Sequence, residues 1–451
     1  MSESRDPSSA VTNVALRPPR DARLDFWRGL CLIDMVLVHL IVQGLEIGHF
    51  AHAVLGEYTR FAAGGFIFVA GLSVGRIYLP KARQPALRRS AYRALLWRAL
   101  YILAVHYTAT LGFMLFAVLR DEPLPPVAVV VIDILLLREG YDLLPFYVVM
   151  IALSPLLLEA VRRGWGAVVA LVSAGLFIWG RDHYAIEAIP IQQTFFVVLW
   201  QVVFVMGLLA GAAFPAYDAL RPRAKLALAS AACAVTLGLS VLAYGWHFHL
   251  PKFHFLWFTK VPLSGGEAMR YLAFVVAVIT VTDVLWRFIA GTRVESFVAR
   301  LGRRSLAMYV THVVVVGLLV PISYRIDVPL ILQLAYFPVA ALMLWGVARA
   351  MDALRDRATH RAHARTGPTA ARRRAIWRFR GWPIAATAAV VVIALAIWSH
   401  LKPLPPGQKY DERPYDEPRS ADPSVTLDTV APRFLSPVAA GILRPAKALD
   451  G

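Results

Sequence analysis

Acidic side chains are scarce in this 451-residue chain: 29 Asp and Glu stand against 47 Lys and Arg, and charged residues of both signs make up only 17% of it. Cysteine is scarcer still, with Cys31 and Cys233 each set in an apolar run. Two such thiols offer no disulfide framework to read, and they read as small packing residues. An internal repeat is also lacking, which counts against transporter folds built from duplicated halves. What fills the chain is apolar: 58% of residues are hydrophobic and the mean hydropathy is +0.58. That is too high, and too unevenly distributed, for a soluble protein of ordinary composition.

Read as bilayer spans, the apolar stretches lie at 27–48, 58–79, 95–118, 143–161, 165–180, 194–214, 225–245, 268–290, 305–321, 329–349 and 383–400. They predict an all-α polytopic transmembrane helical bundle of about ten core helices with one extra C-terminal span. The formal net charge of +18 does not argue for nucleic acid as a partner, because the basic residues cluster in short segments between apolar runs. Arg76, Lys81, Arg83, Arg88, Arg89 and Arg93 follow the second stretch, Arg162 and Arg163 the fourth, and Arg221, Arg223 and Lys225 the sixth. Arg287, Arg293, Arg300, Arg303 and Arg304 follow the eighth, and a dense run from Arg349 to Arg380 the tenth. The alternation puts the amino terminus in the cytoplasm and the carboxyl terminus outside, with Lys252 and Lys260 as mild exceptions.

This divides the chain into a disordered cytoplasmic N-terminus (1–22), a membrane domain (23–350), a basic cytoplasmic segment (351–382), an extra transmembrane helix (383–400) and a Pro-rich extracytoplasmic tail (401–451). Ala51-His52-Ala53 has the form of a signal-cleavage site. The run before it is longer than a signal core and contains Asp34 and His39, so an uncleaved first span is expected.

Polar residues within such runs are where chemistry is sought, since an ionisable group inside a bilayer is costly. Eleven positions separate Arg28 from His39; on a helix that is about 16 Å of rise and a return to within about 20° of the same face. Asp25, one turn before Arg28, is placed to hold its guanidinium. Ser305, Tyr309 and His312, at spacings of four and three, share one face of another span behind Arg303 and Arg304. Arg98, Tyr101 and His106 mark the third span, and Trp200-Gln201 interrupts the sixth. Interfacial snorkelling explains Arg98 as well as ligand binding does, whereas His106 and Gln201 sit deeper and need polar partners. Residues 246–266, with Trp246, His247, His249, Phe253, His254, Phe255, Trp257 and Phe258, read as an interfacial aromatic belt or a surface for stacking sugar rings. Their three histidines make only a weak metal cluster. Residues 124–137, too short for a span and broken by Asp133, read as a re-entrant or interfacial piece.

These motifs resemble the OpgC family of integral membrane proteins. The resemblance rests on Leu24-Asp25-Phe26-Trp27-Arg28-Gly29-Leu30, the glycine-rich Gly64 to Gly75, Arg98 with Tyr101 and His106, Leu144 to Val149 with Ser154-Pro155, Leu199 to Phe204, and Leu301 to His312. The Arg-x10-His and Ser-Leu-x-x-Tyr-x-x-His patterns are also similar to the wider acyltransferase family 3. The chain departs from that pattern at Val38, where many relatives carry an acid; its Asp34 lies about 140° around the helix from His39.

The resemblance implies a bacterial inner-membrane enzyme that transfers an acyl group, succinyl in the named OpgC activity, from cytoplasmic acyl-CoA to an extracytoplasmic glycan such as osmoregulated periplasmic glucan. Membrane lipid, the acyl-CoA donor and the glycan are the expected partners, with acyl-CoA a co-substrate and no metal or bound cofactor. Arg28 and His39 are then the central pair, with His39 a general base or an acylated intermediate. Arg89, Arg93 or Arg98 joins Arg28 on the donor phosphates, Tyr309 and His312 polarise the acyl carbonyl or orient the acceptor, and His106, Trp200, Gln201 and Ser305 line the acceptor site or the pocket. Two rival classes remain at this point: a transporter of glycans or small anions with Arg and His along its path, and a scaffold that holds anionic lipid with its basic segment.

Overall fold

A computed structural model describes residues 21–43, 59, 61–119, 143–183, 197–245, 258, 263–325 and 334–366. Segment 124–137, almost all of 246–262, the span 383–400 and both terminal extensions fall outside the described residues, as do the expectations attached to them.

Twelve helices and no strand occur among the described residues: α1 Ala22–Gln43, α2 Phe61–Arg83, α3 Pro85–Leu119, α4 Leu143–Arg162, α5 Gly166–His183, α6 Val197–Asp218, α7 Pro222–Gly245, α8 Gly265–Val284, α9 Trp286–Ile289, α10 Arg293–Arg303, α11 Ser305–Arg325 and α12 Tyr336–Thr366. Six of them, α2, α3, α4, α6, α7 and α12, contain stretches long and apolar enough to cross a membrane, and Gly166–Arg181 and Ser305–Val316 add shorter apolar helices. The chain is a multi-pass helical membrane protein.

Several boundaries differ from those the hydropathy predicts. Helix α3 begins ten residues before the expected 95, at Pro85, because proline is well suited to the first helical position and the basic residues that follow are good helix formers. The stretch expected as one span at 268–290 is divided at Leu285 into α8 and the one-turn α9. The basic connection after it folds as the amphipathic helix α10. Gly291, at φ +78°, turns the chain there, Thr292 accepts a hydrogen bond from the Glu295 amide at 3.1 Å, and the Glu295 carboxylate accepts one from the Gly291 amide. Apolar Val294, Phe297, Val298 and Leu301 recur at helical spacing behind its arginines.

Helix α2 is the innermost element, packed against α1, α3, α4, α6 and α8. Its closest partner is α6, and the reason is steric. Gly71 and Gly75 face the backbone of Phe204 and Leu208, while Gly207 and Gly211 face that of Phe68 and Leu72; a Cβ at any of the four would collide with a carbonyl oxygen. Small residues four apart let two helix backbones touch, which matters where lipid supplies no hydrophobic drive for association. A second close approach joins α10 to α1: a Cβ at Gly302 would meet the Asp25 carbonyl, and one at Gly29 the Val298 carbonyl. Trp27, fully buried one position from Arg28, donates from its indole nitrogen to the Thr282 hydroxyl at 2.8 Å and meets the Phe214 ring edge-on. Helix α1 is therefore locked in rotation on both sides of the turn that carries Arg28.

Candidate functional site

Arg28 is 14% exposed and held by two side chains. Its guanidinium donates to the Asp25 carboxylate at 3.4 Å and to the Ser73 hydroxyl of α2 at 2.6 Å. Ser73 spends its own proton on the Val69 carbonyl, at 2.6 Å, so the oxygen it presents to Arg28 is an acceptor. A guanidinium held by a carboxylate and a hydroxyl is fixed in direction, which favours anions of fixed geometry over diffuse pairing.

The histidine end is built between α1 and α11. The glycine contact at Gly29 and Gly302 holds α10 against α1, and α11 begins three residues after Gly302; His39 is ten positions beyond Gly29, and His312 ten beyond Gly302. The two imidazoles accordingly meet, ring centroids 5.2 Å apart. Tyr309 lies beside His312 at 5.3 Å, and its carbonyl oxygen takes a short contact from His312 Nδ1. A proton on Nδ1 satisfies that carbonyl and leaves Nε2, buried and without a hydrogen-bond partner among the described residues, as an acceptor.

Aromatic rings bridge toward the arginine end. Phe66 of α2 touches both Tyr309 and Tyr147 of α4, at 6.2 and 6.4 Å between centroids. Tyr147 lies within electrostatic reach of Cys31, Tyr309, Arg28 and Arg98, and Tyr101 within reach of Arg304 and Arg98. Arg98 itself is exposed, and Arg304 is held by Asp352 of α12 at 3.1 and 2.8 Å. The structure thus joins Arg28 to Asp25 on α1 and brings His39 against His312, with Tyr309 beside it, on α11, while the exposed Arg98 of α3 lies within electrostatic reach of Tyr147.

Other candidates are positioned differently. Arg89 and Arg93 lie exposed on α3 below Arg98, and Ser305 is half-buried at the start of α11. His106 is fully buried, with no hydrogen-bond partner for either ring nitrogen among the described residues. Trp200 packs on Tyr271 at 5.2 Å. Gln201 is turned to α5, accepting from the Ser173 hydroxyl and donating to the Ser173 carbonyl, both at 2.7 Å, so its amide fastens α6 to α5. Among the described residues no group of three His, Cys, Asp or Glu is placed to hold a metal ion.

Two polar assemblies were not legible from spacing. One closes the Arg23 end of the bundle: Arg23 bonds Asp283 at 2.8 Å, Asp218 at 2.9 Å and Asp21, Arg76 bonds Asp218 at 2.8 Å, and Tyr217 and Lys225 bond Asp283 at 2.9 and 3.1 Å. Burial opposes the charge of Arg23, and its carboxylate partners outweigh that, raising its pKa above the ordinary arginine value. The other is a buried pair on α8, Glu267 with Arg270 at 2.7 Å. Ser73 and Tyr147 carried a weaker signal, a hydroxyl inside a motif that supports the family resemblance.

Comparison with known proteins adds one match. The family model described as OpgC protein fits residues 20–356. No curated protein and no solved structure matches.

Proposed function

From membership of the OpgC family, to which the chain belongs by its match over residues 20–356, we propose that this protein is a membrane O-acyltransferase. In this reading it carries an acyl group, succinyl as the family resemblance implies, from cytoplasmic acyl-CoA to the hydroxyl of an extracytoplasmic glycan. The observation that carries the reading is the pairing of His39 with His312 on the helix that also holds the anchored Arg28. It places a potential proton acceptor about 16 Å of helix rise from an aimed cation, roughly half the apolar thickness of a bilayer.

The reaction then runs as follows. Arg28, with Arg98 and the exposed Arg89 and Arg93, binds the phosphates of the donor through charge-assisted hydrogen bonds. The thioester reaches toward the histidines. His39 takes the proton of the glycan hydroxyl as its oxygen attacks the thioester carbonyl, the C–S bond breaks, and the proton passes to the departing thiolate. His312 and Tyr309 orient the reactants and steady the oxyanion. His106, Trp200, Gln201 and Ser305 belong to the acceptor site or to the pocket around it.

The topology follows the charge pattern: the Arg23 end faces the cytoplasm of a bacterial inner membrane and the chain ends in the periplasm. Helices α1 to α8, α11 and α12 are the ten crossing elements, and α10 lies along the cytoplasmic interface, its arginines toward lipid phosphates.

The test is transfer of labelled acyl group from acyl-CoA to glycan by the purified protein. His39→Ala is expected to lower the rate at least about 100-fold with folding intact. Undiminished transfer by that variant would end the base assignment, and glycan movement without acylation would favour a transporter.

A further inference from the structure

The bundle satisfies many of its buried hydroxyls within their own helices. Ser154 donates to the Met150 carbonyl, Thr311 to Ala307 and Thr236 to Ala232, each four residues back. Tyr147 cannot do this, because its hydroxyl stands a whole ring away from its backbone. The residue is 7% exposed, its oxygen is buried, and that oxygen has no hydrogen-bond partner among the described residues. A buried hydroxyl left unpaired lowers stability, and phenylalanine would fill the same volume without that loss; Phe146, the preceding residue, is fully buried.

The place of the hydroxyl gives a reason for it. The Tyr147 ring packs on Phe66, Phe66 packs on Tyr309, Tyr309 packs on His312, and His312 meets His39. Arg28 and Arg98 also lie within electrostatic reach of Tyr147. The Tyr147 ring is thus linked through Phe66 and Tyr309 to the imidazole pair, with Arg28 and Arg98 near enough for their charges to act on its hydroxyl, the two groups that an acyl thioester has to bridge in the acyl-transfer reading. A phenol is a good donor to an oxygen gaining negative charge, and a buried site makes that bond stronger than it is in water.

We propose that Tyr147 is a catalytic residue that contacts substrate directly, donating its hydroxyl hydrogen bond to the carbonyl oxygen of the transferred acyl group. Tyr147 forms no covalent bond and keeps its proton. It binds the ground-state carbonyl weakly and the oxyanion strongly, and the bond relaxes when the thiolate leaves. This assignment rests on the acyl-transfer reading above.

The experiment compares Tyr147→Phe with the parent protein in acyl transfer from acyl-CoA, measuring kcat and KM separately, together with thermal unfolding in detergent. Loss of a donor used only in the transition state is expected to lower kcat about 100- to 1000-fold with KM for acyl-CoA little changed. Thermal stability is expected to hold or rise, since the hydroxyl removed has no protein partner. A kcat within about threefold of the parent would overturn the assignment, as would a fall in activity matched by a fall in unfolding temperature. His39→Ala and the parent protein in the same assay separate the two levels: transfer lost in His39→Ala but kept in Tyr147→Phe rejects Tyr147 alone, and no acyl transfer by the parent protein rejects the acyl-transfer reading.

Discussion

At position 73 one hydroxyl makes two bonds, donating to the Val69 carbonyl and accepting from Arg28. Ser73→Ala removes the anchor at 2.6 Å and leaves the longer contact to Asp25, at 3.4 Å, on the same helix as Arg28. A hydrogen bond to a charged group contributes about 1.5 to 3 kcal/mol, so the acyl-CoA concentration at half-maximal rate is expected to rise about tenfold, with the unfolding temperature little altered; steady-state kinetics on the purified variant checks it. Arg28→Lys keeps the charge but loses the planar fork, and is expected to weaken the donor by at least as much. Arg28, His39, Tyr309 and His312 were legible in the sequence because polar groups stand out in apolar runs and helical spacing assigns them to faces. Ser73 and Tyr147 were not: serine and tyrosine are ordinary residues of membrane helices, and what sets these two apart is a neighbour 45 positions away in one case and an unpaired oxygen in the other. Gln201 shows the opposite limit. Its need for a partner was legible, but nothing in spacing pointed to Ser173 on another helix.

Among the elements, α2 and α6 depend on glycines at positions where any side chain would strike backbone. Gly207→Leu is expected to destabilise the protein by about 3 kcal/mol or more, at the upper end of overpacking effects, because a carbonyl cannot move aside as a flexible side chain can. Gly238→Leu on α7, where a Cβ would meet nothing within 4 Å, is the matched control and is expected to be nearly neutral. Thermal unfolding of the two variants in detergent tests the contrast. The hydropathy pattern marked both glycine-bearing helices but not their contact, which depends on which faces meet. Helix α10 was hidden for a different reason: its arginines read as a loop charge cluster, while Val294, Phe297, Val298 and Leu301 at spacings of three, one and three held the helical period.

For the molecule as a whole, the Arg23 end is tied by ion pairs reaching across α1, α2, α6, α7 and α8. Asp283, 4% exposed at its side chain, is the least accessible carboxylate of that network. Asp283→Asn leaves Arg23 and Lys225 short of a counter-charge, and breaking a buried pair from one side costs about 3 to 5 kcal/mol. Asp218→Asn, at 29% exposure, is expected to cost clearly less because water compensates there. Denaturation of the two variants in parallel measures the difference. The closure of this end also bears on transfer, since Arg28 lies just inside it and the donor has to enter past the network. The most direct measurement uses oriented proteoliposomes with labelled acyl-CoA on one face and acceptor glycan on the other. Labelled glycan is predicted only when the thioester is supplied on the face that carries Arg23, and none is predicted with His39→Ala. Equal labelling with the thioester on either face, or full labelling by His39→Ala, would contradict the account.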